Sequence, residues 1–586
     1  MCHNLRSCVI PAIIFCLFTS SNEASRMDDV VKYIRSKVIQ EEPYEFGTER
    51  EFTLQDDKAI LLKVSDNVDG ISEILVCLTK QFFYSHTIYI YCVRKQGVKG
   101  GGSPLEYTNG AFRAIEKCAV VAEWLEEKEG LRLKCILTDD RKRLTLKFKE
   151  LWKQGRHSLS GHWRNTVDED GLKLSTDERI KIFVRVWAEI KYNFANFDLV
   201  PEVNWDRVLE KKLPLVQQDQ SNKDFARLLI RCITKLKDGH TDIKMKYYEI
   251  FDQAQPALVV RVIEGKTIVT EAGNSKDVVK VNLKVGDEIL KIDGKDVREV
   301  LEKEIYPYVF ASTDQWRDNK AFRYLLRGPE GSEIKLRIKS IEGRQRDIVL
   351  TREIDWGKSI PRKEHANFDY KDLGDGISYV AINTFGTGEV VDEFKKYMYK
   401  ICQSKGLIID VRENGGGNSE HGDRIVSFLI DKKISNLRWK TPQHIAAFEA
   451  WGRPKNWHTG ETEYVEPCEE IECFRGPIVA LTGPESFSAA EDFLVLLHSS
   501  KRATLVGGRT GGSTGQPLRF ELDYGVNGKI CTKRDTYPDG REFVGIGVIP
   551  DVEFHVTQKS ISEGEDIVLQ KGMEVLKDKM AALSSD

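Results

Sequence analysis

From about residue 366 onward this chain alternates between short, wholly apolar runs and stretches with helical spacing. Leu407-Ile-Ile-Asp-Val411 and Ile478-Val-Ala-Leu481 carry almost no polar alternation, so neither face of such a strand suits water. A strand buried on both faces needs helices on both faces, which demands a largely parallel sheet built from βα units. Tyr379–Phe385 reads as a further strand, Glu389–Gln403 as a helix, and Ile425–Ile430 as part of another helix. At 586 residues the chain is too long for one core, and several domains are expected.

The rest divides by pattern. Residues 27–155 mix short alternating runs, such as Ala59–Val64 and Thr87–Cys92, with a helix expected at Ala111–Glu127 and a glycine-rich loop at Gly97–Ser103. They read as an α+β domain with no role legible in the residues. Residues 156–250 read as helical. Ser175-Thr-Asp-Glu178 is a capping box, and a helix from Lys223 to Leu236 is expected to close with Gly239 as its C-cap. Residues 254–352 turn to strands punctuated at Val285-Gly286, Asp293-Gly294 and Gly328–Gly331. The βα region spans 366–560, and 561–586 reads as a terminal helix or tail.

Composition excludes some partners. A net charge of -3 supplies no basic field for nucleic acid, and beyond the N-terminus no apolar run is long enough for a bilayer. Residues 1–24 have the layout of a secretory signal: Arg6, the apolar run Cys8–Phe18, then small polar residues to Ala24. Export is therefore expected; a start at Met27 would instead leave the protein in the cytoplasm. Cys468 and Cys473 lie close enough in a polar loop to pair, and no cysteine spacing matches a zinc site. No metal or cofactor is called for.

Gly476–Leu497 delivers Ser488 from a buried strand, through the turn Gly483-Pro484, to the start of a helix. One reading of Ser488-Ala-Ala-Glu491 is a capping box. The other is a nucleophile, because the Ala489 amide and the helix N-terminus favour a developing oxyanion there. Ser486 competes, from within the turn. Asp410-Val-Arg-Glu-Asn-Gly-Gly-Gly-Asn418 follows a buried strand, where successive glycines bring backbone amides close to a ligand. It lacks the lysine and hydroxyl of a phosphate loop. As a partner to Ser488, this loop would supply the other half of an oxyanion hole. A base is still required: His240 in a polar turn and His421 near the glycines are candidates, whereas His498 lies about three turns along the helix after Ser488 and points away.

Together these motifs resemble the tail-specific, or C-terminal-processing, serine peptidase family. The residues that carry the resemblance are Leu283–Val297 with Arg327–Ser332, Gly406–Gly417, Ser486–Glu491 and Gly545–Asp551, in the family's order over roughly 175–555. The resemblance implies an α+β multidomain chain: a crotonase-like (ClpP-like) βαβ catalytic core, a PDZ-like domain at 254–352 and a helical N-terminal segment. It implies Ser488 as nucleophile and the amides of Ala489 and of Gly415 or Gly416 as the oxyanion hole. The bacterial branch carries a lysine base where this chain has Ser513, and Arg509 cannot replace it because guanidinium keeps its proton. Asp238-Gly-His-Thr241 and Tyr192–Asn196 instead resemble the tricorn-core-like branch, which implies His240 as general base. Glu542 is expected to orient His240, with Ser513 or Thr510 adding a hydrogen bond. Activity is then expected to rise through a histidine value of about 6.5.

The implied substrate is a polypeptide that is unfolded or has an exposed C-terminus, bound in part by the PDZ-like module. Two other functions fit parts of the pattern. A non-catalytic binding protein on the same core would take an apolar ligand or peptide, as in the retinoid-binding branch. A crotonase-type acyl-thioester enzyme would use the βαβ core and glycine loop but leave Ser488 and the PDZ-like segment without a role.

Overall fold

A computed structural model describes residues 38–44, 49–54, 58–64, 71–81, 85–94, 119–127, 130–138, 174–245, 249–360, 366–454 and 456–585. The signal-like segment 1–24 and the loop 97–103 lie outside them. The chain divides into two units, Met1–Lys173 and Leu174–Asp586.

In the first unit, β1 (Val38–Tyr44), β3 (Lys58–Val64), β4 (Ile71–Gln81) and β5 (Ser85–Arg94) form one sheet in that order. β2 (Glu49–Leu54), β7 (Gly130–Thr138) and β6 (Ala119–Glu127) form another. The helix expected over Ala111–Glu127 is corrected here: 119–127 is a strand paired antiparallel with β7 from Ala119↔Thr138 to Glu127↔Gly130, while 111–118 lie outside the described residues. Val120, Val121 and Trp124 are types that favour a pleated surface.

The second unit opens with helices. α1 (Thr176–Asn193) carries the expected capping box, Ser175 with Glu178. It packs with α2 (Trp205–Gln217) and α3 (Asn222–Ile233) around Phe183, Phe225 and Leu229. After α3 the chain turns at Lys237, which takes the left-handed conformation (φ 47°), so the turn expected at Gly239 is made earlier. Gly239 is glycine for a different reason: a Cβ there would lie 2.9 Å from the Phe487 ring. β8 (Asp242–Met245) follows at once and pairs with β20 (Val526–Cys531), which pairs with β19 (Pro517–Leu522). This small sheet ties the helical segment to the far end of the chain.

Residues 258–351 form an antiparallel sheet in the order β13 (Gln345–Thr351), β12 (Glu333–Lys339), β11 (Glu288–Ile292), β10 (Lys266–Ala272), β9 (Leu258–Ile263). α4 (Asp314–Phe322) contributes Trp316 and Phe322 to the core of this segment.

The sheet beneath the serine runs β14 (Phe368–Asp372), β15 (Ile377–Ile382), β16 (Gly406–Asp410), β17 (Ile478–Thr482), β18 (Ala503–Gly507), β21 (Val552–Glu553). All neighbours are parallel except the β14–β15 pair. One face is covered by α5 (Glu389–Gln403), α6 (Ser419–Ser427) and α7 (Ala489–Ser499), through Phe394, Ile425 and Phe493. The other face carries α8 (Ile567–Ser585), whose Val568 and Leu576 pack with Ile408, Val479 and Val506. Burial on both faces is what the uninterrupted apolar runs required. Among the described residues no helix is long and apolar enough to cross a membrane.

Candidate active site

Ser488 sits between β17 and α7 with φ 58° and ψ −127°, a backbone conformation that L-residues avoid. Strain of this kind persists only where surrounding contacts over-determine it. Here the Ser488 amide donates to Glu491 Oε2 (3.2 Å), and the Glu491 amide donates to the Ser488 carbonyl (2.7 Å). The loop after β16 closes from the other side. A Cβ at Gly416 would come within 2.6 Å of the Phe487 carbonyl oxygen, 2.7 Å of Ser488 Cβ and 3.0 Å of the Ala489 nitrogen. Gly416 also has φ +93°, so glycine is required there twice over.

The hydroxyl of Ser488 lies 3.0 Å from His240 Nε2. His240 Nδ1 lies 2.7 Å from Ser513 Oγ. With the Ser488 hydroxyl donating to Nε2, the ring carries its proton on Nδ1 and donates to Ser513. The ring is stacked on Phe487 at 4.8 Å, and Phe487 is stacked on Trp316 at 4.6 Å. Burial, with Lys529 and Lys320 adding to it, pushes His240 down to about 3. The expectation of a titration near 6.5 is corrected accordingly: a desolvated imidazole beside cations stays neutral through the physiological range.

His240 is anchored through its backbone. Its amide donates to Asp238 Oδ1 (2.8 Å), and Asn196 Nδ2 donates to Asp238 Oδ2 (3.1 Å). Thr241 Oγ1 accepts from the Cys531 amide (3.0 Å), and the Ala195 amide donates to the Cys531 carbonyl (3.0 Å). The Tyr192–Asn196 and Asp238–Thr241 segments thus meet on β20.

Glu491 is fully buried and gathers donors from the serine and its surroundings. Thr510 Oγ1 donates to its Oε1 at 2.5 Å, the Gly512 amide to Oε1 at 2.7 Å and the Ser513 amide to Oε2 at 2.9 Å. Burial nonetheless pushes its carboxyl up to about 7. The sequence offered Glu491 only as half of a capping box; its larger part is to set Ser513 against the histidine, which no local pattern reveals.

The remaining expected residues separate. Glu542 pairs with Lys440 (2.7 Å), so the group at His240 Nδ1 is Ser513 and not Glu542. The turn bearing Glu542 returns its side chain to the strand carrying Lys440, whose cation holds it. Thr510 reaches Glu491 rather than His240. The Gly416 amide is engaged by Asn414 Oδ1 (2.9 Å), whereas Gly415 is exposed. His421 is held on the Phe385 carbonyl, and His498 on Tyr537 and Asp551. Ser486 is buried, with its hydroxyl donating to the Val411 carbonyl. Cys468 and Cys473, expected to be close enough to pair, are both free thiols.

An activated hydroxyl, a neutral imidazole and a glycine backbone at one point are the parts of acyl transfer. Residues 376–554 match Peptidase family S41. The "Carboxy-terminal processing protease CtpA" of Bacillus subtilis (strain 168) is 23% identical over 295 residues, 50% of this chain and 53% of that protein. The "Carboxy-terminal-processing protease" of Bartonella bacilliformis is 24% identical over 294 residues, 50% of this chain and 58% of that protein. The chain thus spans little more than half the length of these relatives. The crystal structure of mature CPAF superposes with a TM-score of 0.58 at 15% identity, covering 70% of this chain and 98% of that one, a likeness of fold. Over residues 376–554, then, the chain is similar to Peptidase family S41.

Proposed function

We propose that this chain is a serine peptidase that cleaves polypeptides through an acyl-enzyme on Ser488, with His240 as general base. The observation that carries this reading is the 3.0 Å approach of His240 Nε2 to Ser488 Oγ. His240 takes the hydroxyl proton as Oγ attacks the carbonyl carbon, and returns it to the departing amine. A water then hydrolyses the ester by the same proton path. The oxyanion is received by the amides of Ala489 and Gly415, since Gly416 already donates to Asn414. Ser513 holds the tautomer in which Nε2 is free to accept.

Residues 366–560 are read as a crotonase-like catalytic core and 254–352 as a PDZ-like module that holds an extended or C-terminal peptide. The parallel sheet and the separate antiparallel sheet support that division. Residues 1–24 are read as an export signal, testable by sequencing the N-terminus of the protein recovered from its host.

A fluorophosphonate probe, followed by mass spectrometry, tests the chemistry. Labelling of Ser488 that is lost in Ser488→Ala, together with cleavage of an unfolded polypeptide, is the expected result. An unlabelled wild-type protein that binds a peptide without cutting it would favour the binding-protein reading.

A further inference from the structure

Beside the His240 turn stands a group of cations that, among the described residues, outnumbers its anions. β8 and β20 pair with Asp242 opposite Lys529 and Lys244 opposite Asn527, so these four share one face of the sheet. Lys529 Nζ reaches Asp242 at 3.2 Å, and Lys244 is exposed. From the other side comes α4. Lys320 donates to the Phe310 carbonyl (3.2 Å) and lies 5.4 Å from the centroid of Trp316, the outer ring of the stack that backs His240. Among the described residues, three ammonium groups therefore share one carboxylate.

We propose that Lys320 and Lys529 form a subsite for a carboxylate of the bound polypeptide, on the leaving-group side of the scissile bond. The placement follows from the chemistry: the general base must reach both the serine hydroxyl and the departing nitrogen, so groups that flank it face the departing half of the peptide. This rests on the peptidase reading of Ser488 and His240. The electrostatics supports it. Burial pushes Lys320 down to about 8; Asp242 opposes that shift, while Lys529, Arg323 and Lys244 add to it. Arg323 is already paired with Glu485 (2.7 Å). An arriving carboxylate would relieve the repulsion among the lysines and offset the two cations that add to the burial of His240 in disfavouring its charge, easing imidazolium formation as Ser488 attacks. The carboxylate has two sources: an Asp or Glu side chain, or the C-terminus of a short departing fragment.

Two matched sets of peptides separate these sources: Asp against Asn within the departing half, and a free C-terminus against its amide. kcat/KM is compared within each protein, so the ratio does not depend on the folded fraction. Wild type is expected to favour at least one acidic member by about 10-fold, less at 1 M salt. Lys320→Met and Lys529→Met should each bring that ratio towards one, and Lys529→Arg should keep most of it. No acidic preference in wild type, or a preference unchanged in both methionine variants, would overturn the subsite. Fluorophosphonate labelling of wild type reads the peptidase reading separately. A protein that labels at Ser488 and cuts neutral and acidic peptides alike loses only the subsite, whereas one that neither labels nor cuts loses both.

Discussion

The two halves of the candidate site are held in different ways. Ser488 is held by its neighbours: β17 and β16 are adjacent parallel strands, the glycine loop follows one and the serine follows the other, and Glu491 lies one helical turn away. His240 is held by distant residues. Asn196, Thr241 on Cys531, and Ser513 fix it across 42, 290 and 273 positions of sequence. The side of the proposed nucleophile is therefore a motif, and the side of the proposed base is an assembly. Variants that strain the first should cost stability along with activity, whereas variants that loosen the second should cost mainly activity.

The largest effect tests whether the halves act as one unit. Ser488→Ala and His240→Ala should each lower acylation by at least about 10⁴-fold, and the double variant should be hardly worse than either. Stopped-flow acylation checks this, and additive losses would separate the two side chains. Next comes the pair of glycines. Gly416→Ala forces a Cβ onto backbone atoms at positive φ, so it should lower Tm and activity together. Gly239→Ala presses on side chains rather than backbone, the Phe487 ring at 2.9 Å and Ser513 Cβ at 3.3 Å, so it should keep most of the Tm while lowering kcat by about 10²-fold through displacement of His240. Equal losses of Tm in a thermal melt would erase the distinction.

Ser513→Ala removes the acceptor at Nδ1 but no charge, and a fall in kcat of roughly 10- to 100-fold is expected, smaller than when an ionised partner is lost. The smallest effect is the absence of one. His240, pushed down to about 3, should show no imidazole protonation by NMR between pH 8 and 5. In the folded state it binds fewer protons than the free side chain between about pH 6.5 and 3, so its contribution to stability is present above pH 6.5 and is lost as the pH falls through that window. A His240 resonance that titrates near 6.5 would mean the ring is wetter and less crowded by cations than Lys529 and Lys320 make it.

What was legible follows the same division. The strand, turn and helix around Ser488 were readable because apolar runs and a capping pattern are local. The expected helix Glu389–Gln403 coincides with α5 for the same reason. Ala111–Glu127 misled because its apolar residues fit either period, and the antiparallel partner that makes 119–127 a strand lies across a hairpin. Gly239 was read as a helix stop, since a glycine after a helix is the ordinary signal, but Lys237 made the turn and a ring from 248 residues away needed the space.

By itself, then, the sequence determined the parallel sheet, the loop of glycines and the serine at the mouth of a helix, because each follows from side-chain period and backbone freedom over a few residues. Only the tertiary structure chose Ser513 over Glu542 as the partner of His240, committed the Gly416 amide to Asn414 and disfavoured the charged form of His240. Those outcomes depend on which groups share a dry space, and desolvation belongs to the packed molecule rather than to any stretch of chain.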